Sequence, residues 1–315
     1  MALLESGPNA DAEERPSRLA TAPRHRKAKV VDALSAWALV APALILFIVF
    51  IVIPTGSGIG LSFFTWHFLD DPVFSGLTNF RTLVADPETW QSLGVTMKFV
   101  VLGVIPTVLI GFLLAVLTNT RLKGVGALRV LYFVPAVVSV AVSAVLWGFL
   151  YDGRQGPIGA LMRSVGLPSI DFLSTTTWAL PALVVMMIWL ALPVVILLYL
   201  AGLQRISPDI YDAAALDGAG SWRILWSITW PSVRGTTIVV AILQLITFVS
   251  GSLDIALILT NGDPLGSTRA LGLYAYLVAF RNTDAGYASA LSVLQLVVIV
   301  AVVVIGRVAT SKADR

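Results

Sequence analysis

Side chains able to do chemistry are scarce in this chain, and the scarcity narrows what it can do. There is no cysteine, so a thiolate nucleophile, a disulfide and a Cys-ligated metal are excluded. Only His25, in a basic stretch, and His67, after the first apolar run, are present, which leaves metal and general-base chemistry little to build on. No Gly-x-x-x-x-Gly-Lys-[Ser/Thr] loop occurs, so the usual cradle for nucleotide phosphates is missing. Nucleophile, base or metal ligands do not cluster near one interface, as a membrane enzyme would require. Two features remain: an acid, Asp254, inside an apolar run, and a patterned polar island, Tyr211 to Gly220 continuing through Ile228 to Pro231, between two long apolar runs.

Asp254 sits in Ser250-Gly251-Ser252-Leu253-Asp254. A charge at the centre of a membrane helix costs about 2.5–3.5 kcal/mol on insertion scales and normally faces a bundle interior or a water cavity. A hydrogen bond to a neighbouring helix and a contact with a passing solute both satisfy that constraint, and Gln244 in the same run carries the same two readings. In the polar island, Ser207-Pro208-Asp209 is a helix-start signal: a capping Ser, a Pro at the first helical position and an acid at the positive end of the dipole. A short helix is expected to about Asp217, a positive φ at Gly218, and a second short helix from Gly220-Ser221 through Trp222, Leu225, Trp226 and Thr229, with Pro231 before the next apolar run. Ala213 to Ala215 are small enough for another surface to approach closely, with Asp212 and Arg223 to set polar register.

The elements that must carry these residues are membrane helices. The chain is 57% hydrophobic and 12% charged, with mean hydropathy +0.88, whereas soluble domains carry about 25% charged residues. Six apolar runs, 36–53, 99–118, 130–151, 178–203, 236–260 and 285–306, approach the ~20 residues that a helix needs to cross the hydrocarbon. Backbone groups in lipid must be satisfied internally, so an all-α, six-span polytopic fold is expected, with Pro106, Pro135, Pro181 and Pro193 at kinks or early turns. Trp37, Trp66, Trp90, Trp147 and Trp178 fall near span ends, where interfacial aromatics belong. Residues 1–32 read as a disordered basic cytoplasmic tail without the apolar core of a secretory signal, 33–309 as the transmembrane domain, and 310–315 as a second short tail.

The island is similar to the EAA loop of the membrane subunits of binding-protein-dependent ABC importers, whose pattern is E-A-A, three residues, G, nine residues, I, two residues, P. Asp212-Ala213-Ala214, Gly218, Ile228 and Pro231 keep every spacing, with Asp for Glu at the first position. Phe74-Ser75-Gly76-Leu77-Thr78-Asn79-Phe80 resembles the F-x-G-L-x-N-[FY] segment of the sugar-type permeases of the maltose and glycerol-3-phosphate class. Thr260-Asn261-Gly262-Asp263-Pro264, Tyr274-Ala275-Tyr276, Ala279-Phe280 and Gly286-Tyr287-Ala288-Ser289-Ala290 resemble the T-x-G-G-P, Y-x-Y, A-F and G-Y-A-S-A series of that class, with Asp263 replacing the second Gly of G-G-P.

The resemblance implies an ABC importer permease (MetI-like) fold that takes up a sugar, polyol or sugar phosphate. It implies a second, different permease chain, two copies of a cytoplasmic ATPase carrying the ATP and Mg, and an extracytoplasmic solute-binding protein, with no cofactor on this chain and no nucleic acid. The coupling loop would span 204–235, with Asp212, Ala213, Ala214, Asp217, Gly218, Ile228 and Pro231 meeting the ATPase. Asp254, Gln244, Ser250 and Tyr274 are the candidates for the solute path, although Tyr274 and Tyr276 also suit interfacial anchoring. The location implied is the bacterial inner membrane. A secondary transporter of small polar solutes is the alternative, and it would need a coupling-ion site for which the spans offer no acid besides Asp254.

Fifteen Lys and Arg flank one set of span ends and five the other, with Lys98 at a span edge, which places both termini and the loop in the cytoplasm. Alkaline phosphatase fused after Gly218 should therefore be inactive, and fused after Pro264 active. Activity after Gly218 would reverse this topology.

Overall fold

The computed structural model describes residues 24–68, 70–119 and 125–313. In chain order it contains α1 (Arg24–Phe47), a π turn (Ile48–Val52), α2 (Ile53–Leu61), β1 (Phe64–Thr65), β2 (Val73–Phe74), α3 (Thr78–Ala85), α4 (Pro87–Thr118), α5 (Val125–Val137), α6 (Val140–Tyr151) and α7 (Pro157–Ser164). There follow α8 (Ala179–Leu203), α9 (Pro208–Leu216), α10 (Ser221–Ile224), a second π turn (Leu225–Thr229), α11 (Trp230–Ser232), α12 (Arg234–Leu259), α13 (Leu271–Phe280) and α14 (Ala285–Ala313). Among the described residues five helices are long and apolar enough to cross a bilayer: Ala36–Leu61, Pro87–Thr118, Ala179–Leu203, Arg234–Leu259 and Ala285–Val304. The sixth expected span is not one helix, because Arg129–Val137 and Val140–Tyr151 meet at 114°. The local chemistry explains the break. Pro135 has no N–H for the helix ladder, Val138 bonds only to the Pro135 carbonyl, and extended Ser139 restarts a helix by accepting the Val142 N–H at 3.3 Å.

The chain divides into two compact units, Met1–Thr55 and Gly56–Arg315. In the first, α1 starts at Arg24, inside the tail expected to be unstructured, because Arg24 to Leu34 contains no Gly or Pro to break a helix that leads into the apolar run. The rest of that tail, 1–23, lies outside the described residues. At the other end α14 continues to Ala313, through most of the short tail expected from 310, and 314–315 also lie outside the described residues.

The second unit is organised around α4, α8 and α12, whose buried side chains form two layers. One layer joins Val95 and Phe99 of α4 to Leu183 and Met186 of α8 and to Phe248 and Ile255 of α12. The other joins Val108 and Phe112 to Val195, Ile196 and Tyr199 and to Val240. Membrane helices associate through close packing rather than water exclusion, and small residues make that packing possible. Gly103 of α4 shows the point: a Cβ there would collide with the Phe248 ring, so α12 reaches α4 only because the side chain is missing.

The second layer lies beside the 204–235 loop, and the first faces the opposite end of the bundle. That far end is built by β1, β2, α3, α13 and the start of α14. Asn79, the Asn of the F-x-G-L-x-N segment, is buried and donates to the Ser62 and Phe64 carbonyls at 3.0 and 2.9 Å. The Ala285 and Gly286 N–H groups both donate to the Trp66 carbonyl, at 2.9 and 3.2 Å. Helix α13, ten residues long, is too short to span and is largely buried. In the loop before it the positive φ values fall on Asn261, Gly262, Leu265 and Gly266, so Asp263 replaces the second Gly at a position that requires no left-handed backbone. Trp147, one turn from the end of α6, packs on Trp189 and Tyr151 at 5.7 and 5.2 Å.

Asp86 ties this end together. It caps α4 by accepting the Glu88 N–H at 2.9 Å, while its Oδ2 accepts the hydroxyls of Tyr274 and Tyr287, each at 2.6 Å, and of Thr89 at 3.0 Å. Burial works against the Asp86 carboxylate, but the Tyr274, Tyr287, Glu88 and Thr89 hydrogen bonds outweigh it and hold its pKa below the ordinary 3.8. A depressed carboxylate stabilises the fold above its unfolded pKa, and that contribution disappears as pH falls through the folded value. Asp86→Ala should cost about 1–2 kcal/mol at neutral pH from loss of the cap alone. Thermal unfolding in detergent should show a wild-type advantage that narrows as pH falls below the ordinary carboxylate range. A gap independent of pH would contradict the assignment.

Candidate functional site

The polar island folds as two short helices around one turn. Ser207 is extended and its Oγ accepts the Asp209 N–H at 3.3 Å, with Pro208 in the first turn of α9. The helix ends at Asp217, where Gly218 takes φ +72. The Gly218 N–H then bonds the Ala215 carbonyl at 3.1 Å and the Ala219 N–H the Ala214 carbonyl at 3.0 Å, the paired closure of a Schellman motif. Extended Gly220 starts α10, which passes through the π turn Leu225–Thr229 and α11 to Val233, one residue before α12. Thr229 fills the widened turn by donating to the Ile224 carbonyl at 3.2 Å, just ahead of Pro231, which has no N–H to give.

Aromatic side chains hold the loop against the bundle. The Phe112 ring of α4 lies 4.8 Å from Trp230, 6.2 Å from Trp226 and 5.6 Å from Tyr199. Tyr199 in turn donates to Thr237 of α12 at 3.2 Å, and Tyr211 of α9 lies 3.4 Å from the Thr229 hydroxyl. Asp212, Ala213, Asp217, Gly218 and Pro231 are exposed, and Ile228 is half-buried. Ala214 is buried, so it turns toward its own chain and is not part of the outer face on which the sequence placed it. Its neighbour on that face is apolar: Leu216 is 90% exposed and Trp222 74% exposed. The sequence reading missed both as contact residues, as it missed the anchoring set Phe112, Tyr199 and Trp230. Trp226 and Trp230 lie four residues apart, a spacing that could have revealed part of the anchor.

Within the membrane, α12 displays an exposed stripe at Leu243, Thr247, Ser250, Asp254 and Ile258, spaced by three or four residues and therefore on one face. Three consecutive members are polar. Among the described residues no hydrogen bond or ion pair reaches the Asp254 carboxylate, so a bond to a neighbouring helix of its own chain finds no partner. Ser250 shares the stripe. The other two candidates do not. Gln244 is buried on another face with its Oε1 unpartnered, and the Tyr274 hydroxyl, buried at the far end, is bonded to Asp86. Among the described residues no three His, Cys, Asp or Glu side chains converge as metal ligands would.

The geometry therefore consists of an outward loop joined, through one helix, to a polar intramembrane face. A family profile described as "Binding-protein-dependent transport system inner membrane component" matches residues 83–312. Over 283 residues the chain is 31% identical to the trehalose/maltose transport system permease protein MalF of Thermococcus litoralis, covering 89% of this chain and 94% of that protein. It is 28% identical over 272 residues to the multiple sugar-binding transport system permease protein MsmF of Streptococcus mutans, covering 86% and 93%. In fold it matches a chain of a bacterial ABC transporter involved in the import of the acidic polysaccharide alginate, with TM-score 0.78 at 22% identity over 93% of this chain and 100% of that one. The matched residues include the loop, the α12 stripe and the Asp86 anchor, and the chain belongs to the inner membrane components of binding-protein-dependent transport systems.

Proposed function

We propose that this chain is the permease subunit of an ATP-driven importer for a sugar or a related polyol or sugar phosphate, delivered by an extracytoplasmic solute-binding protein. Family membership supports the transport reading over a secondary transporter or a membrane enzyme, and the trehalose/maltose and multiple-sugar relatives support the carbohydrate class. The observation that carries it is the continuity of α10, α11 and α12 between the loop and the Thr247–Ser250–Asp254 face. In this reading the chain forms half of the pathway beside a second, different permease subunit. Two cytoplasmic ATPase subunits bind the ATP and Mg, and the complex lies in the bacterial inner membrane with both termini of this chain in the cytoplasm.

Mechanically, an ATPase cleft that grips Asp212, Ala213, Leu216 and Trp222 moves a loop whose second arm leads directly into α12. Tilting α12 reorients its polar face, so closure of the ATPases is converted into alternating access. Asp254 and Ser250 meet the solute hydroxyls on a face that borders water rather than lipid.

Gly218→Val forces a β-branched residue into a left-handed backbone at a cost of about 1–2 kcal/mol, enough to misalign the two arms without unfolding the bundle. Leu216→Asp places a charge in the gripping face. At matched expression both should lower ATP-dependent uptake, and Leu216→Asp should release the ATPase from the membrane fraction. Wild-type uptake and retention in both would exclude the loop as the docking element. Asp254→Asn should lower solute-stimulated ATPase activity in an intact complex, whereas unchanged transport would remove Asp254 from the path.

A further inference from the structure

At the end of the bundle away from the loop, α4, the segment leading into α8 and the loop after α12 border an open cavity of about 650 Å³, within the range that holds a small organic ligand. One wall is Trp90, half-exposed, whose Nε1 donates to the Val84 carbonyl at 3.0 Å and so fixes the indole ring. Around it stand Gln91, Thr176, Thr177 and Ser267. Gln91 ties the loop to α4 through the Leu265 carbonyl at 3.2 Å, and the Ser267 hydroxyl is buried without any partner. A flat apolar ring beside hydroxyl and amide groups matches a sugar, which has a C–H face and a rim of hydroxyls.

The cavity is also charged. Lys98 lines it, and among the described residues no carboxylate pairs with its ammonium group. Arg269, beside Gln91 and Gly266, is bonded to Glu88 at 3.3 Å, so these two charges cancel and the uncompensated charge is that of Lys98. We propose that this cavity is a binding site for an acidic saccharide, with the indole of Trp90 against the sugar ring, the ammonium of Lys98 on its carboxylate or sulfonate, and Ser267 and the threonines on its hydroxyls. The proposal deepens the importer reading by naming the charge of the solute, and it rests on that reading only for the direction of transport.

A lipid phosphate offers Lys98 the same anion, so the test separates the two sources. The full-length chain in its purified complex is placed in phosphatidylcholine nanodiscs and titrated calorimetrically. The probes are disaccharides containing glucuronate, galacturonate or mannuronate, each set against its uncharged counterpart. At least one acidic disaccharide should bind roughly tenfold or more tightly than its neutral counterpart. Lys98→Gln should remove that preference while the complex stays assembled, and Lys98→Arg should restore it. Equal affinity for acidic and neutral sugars, no binding of any of them, or a preference unchanged in Lys98→Gln would overturn the proposal. Loss of acidic-sugar binding in phosphatidylglycerol nanodiscs would overturn it in favour of a lipid headgroup. ATP-dependent uptake of a neutral sugar with no acidic preference would reject this site and leave the importer reading standing. Acidic preference without ATP-dependent uptake would do the reverse.

Discussion

Hydrocarbon offers no water to a polar group, and most of this structure follows from that constraint. Backbone amides are satisfied within helices, and several buried hydroxyls in the spans find a carbonyl on their own helix. Thr96 donates to Ser92, Thr107 to Gly103 and Thr118 to Leu114, all at 2.7–2.8 Å. Asp254 has no such solution. Its carboxylate lies on the outer face of α12, in line with Ser250 and Thr247, so its neighbour in the membrane must be aqueous or polar. Three polar residues in line on the exposed face of α12 are the basis for the proposal that the pathway runs along this side of the subunit.

The same helix reaches the coupling loop. Phe112, Tyr199, Trp226 and Trp230 fasten the root of the loop to α4 and α8, while the tip, with Leu216 and Trp222 exposed, is free to be held by another protein. A stiff root and an accessible tip are what a lever needs. The π turn at Leu225–Thr229 lies between them, the kind of local irregularity that concentrates where a helix has to yield. At the opposite end Asp86 gathers α4, α13 and α14 through one carboxylate, so the bundle is pinned at the end where the acidic-saccharide cavity opens.

What the sequence made legible is what local rules determine. The Ser207 cap, the φ of Gly218 and the second arm from Gly220 depend on residues within a turn of one another, and the structure has all three. Facing and bending depend on partners elsewhere. Ala213 and Ala214 are identical in type, yet one is exposed and the other buried, because only the bundle decides which side of α9 is inside. The run 130–151 has the hydropathy of one span and Pro135 marked a kink in it, but hydropathy counts residues and not direction, so the 114° size of the break at Ser139 was not legible. Asp86 meets Tyr274 and Tyr287 across 188 and 201 residues, a separation at which no spacing rule operates. Gln244 and Asp254 occupy one helix and looked equivalent until their faces were known.

The claim that the α12 stripe borders a water-filled path can be tested with one thiol, because the natural chain has no cysteine. Ser250→Cys would carry the sole reactive sulfur of the subunit, placed one turn from Asp254. In the assembled complex in proteoliposomes, labelling by a membrane-impermeant, charged maleimide should proceed and should change in rate when ATP holds the ATPases together. A cysteine at Ile105, which is exposed on α4, should serve as the control for accessibility elsewhere in the membrane. Failure of Ser250→Cys to react in any nucleotide state, in a complex that still assembles, would show that the polar face is sealed against protein or lipid and would contradict the account.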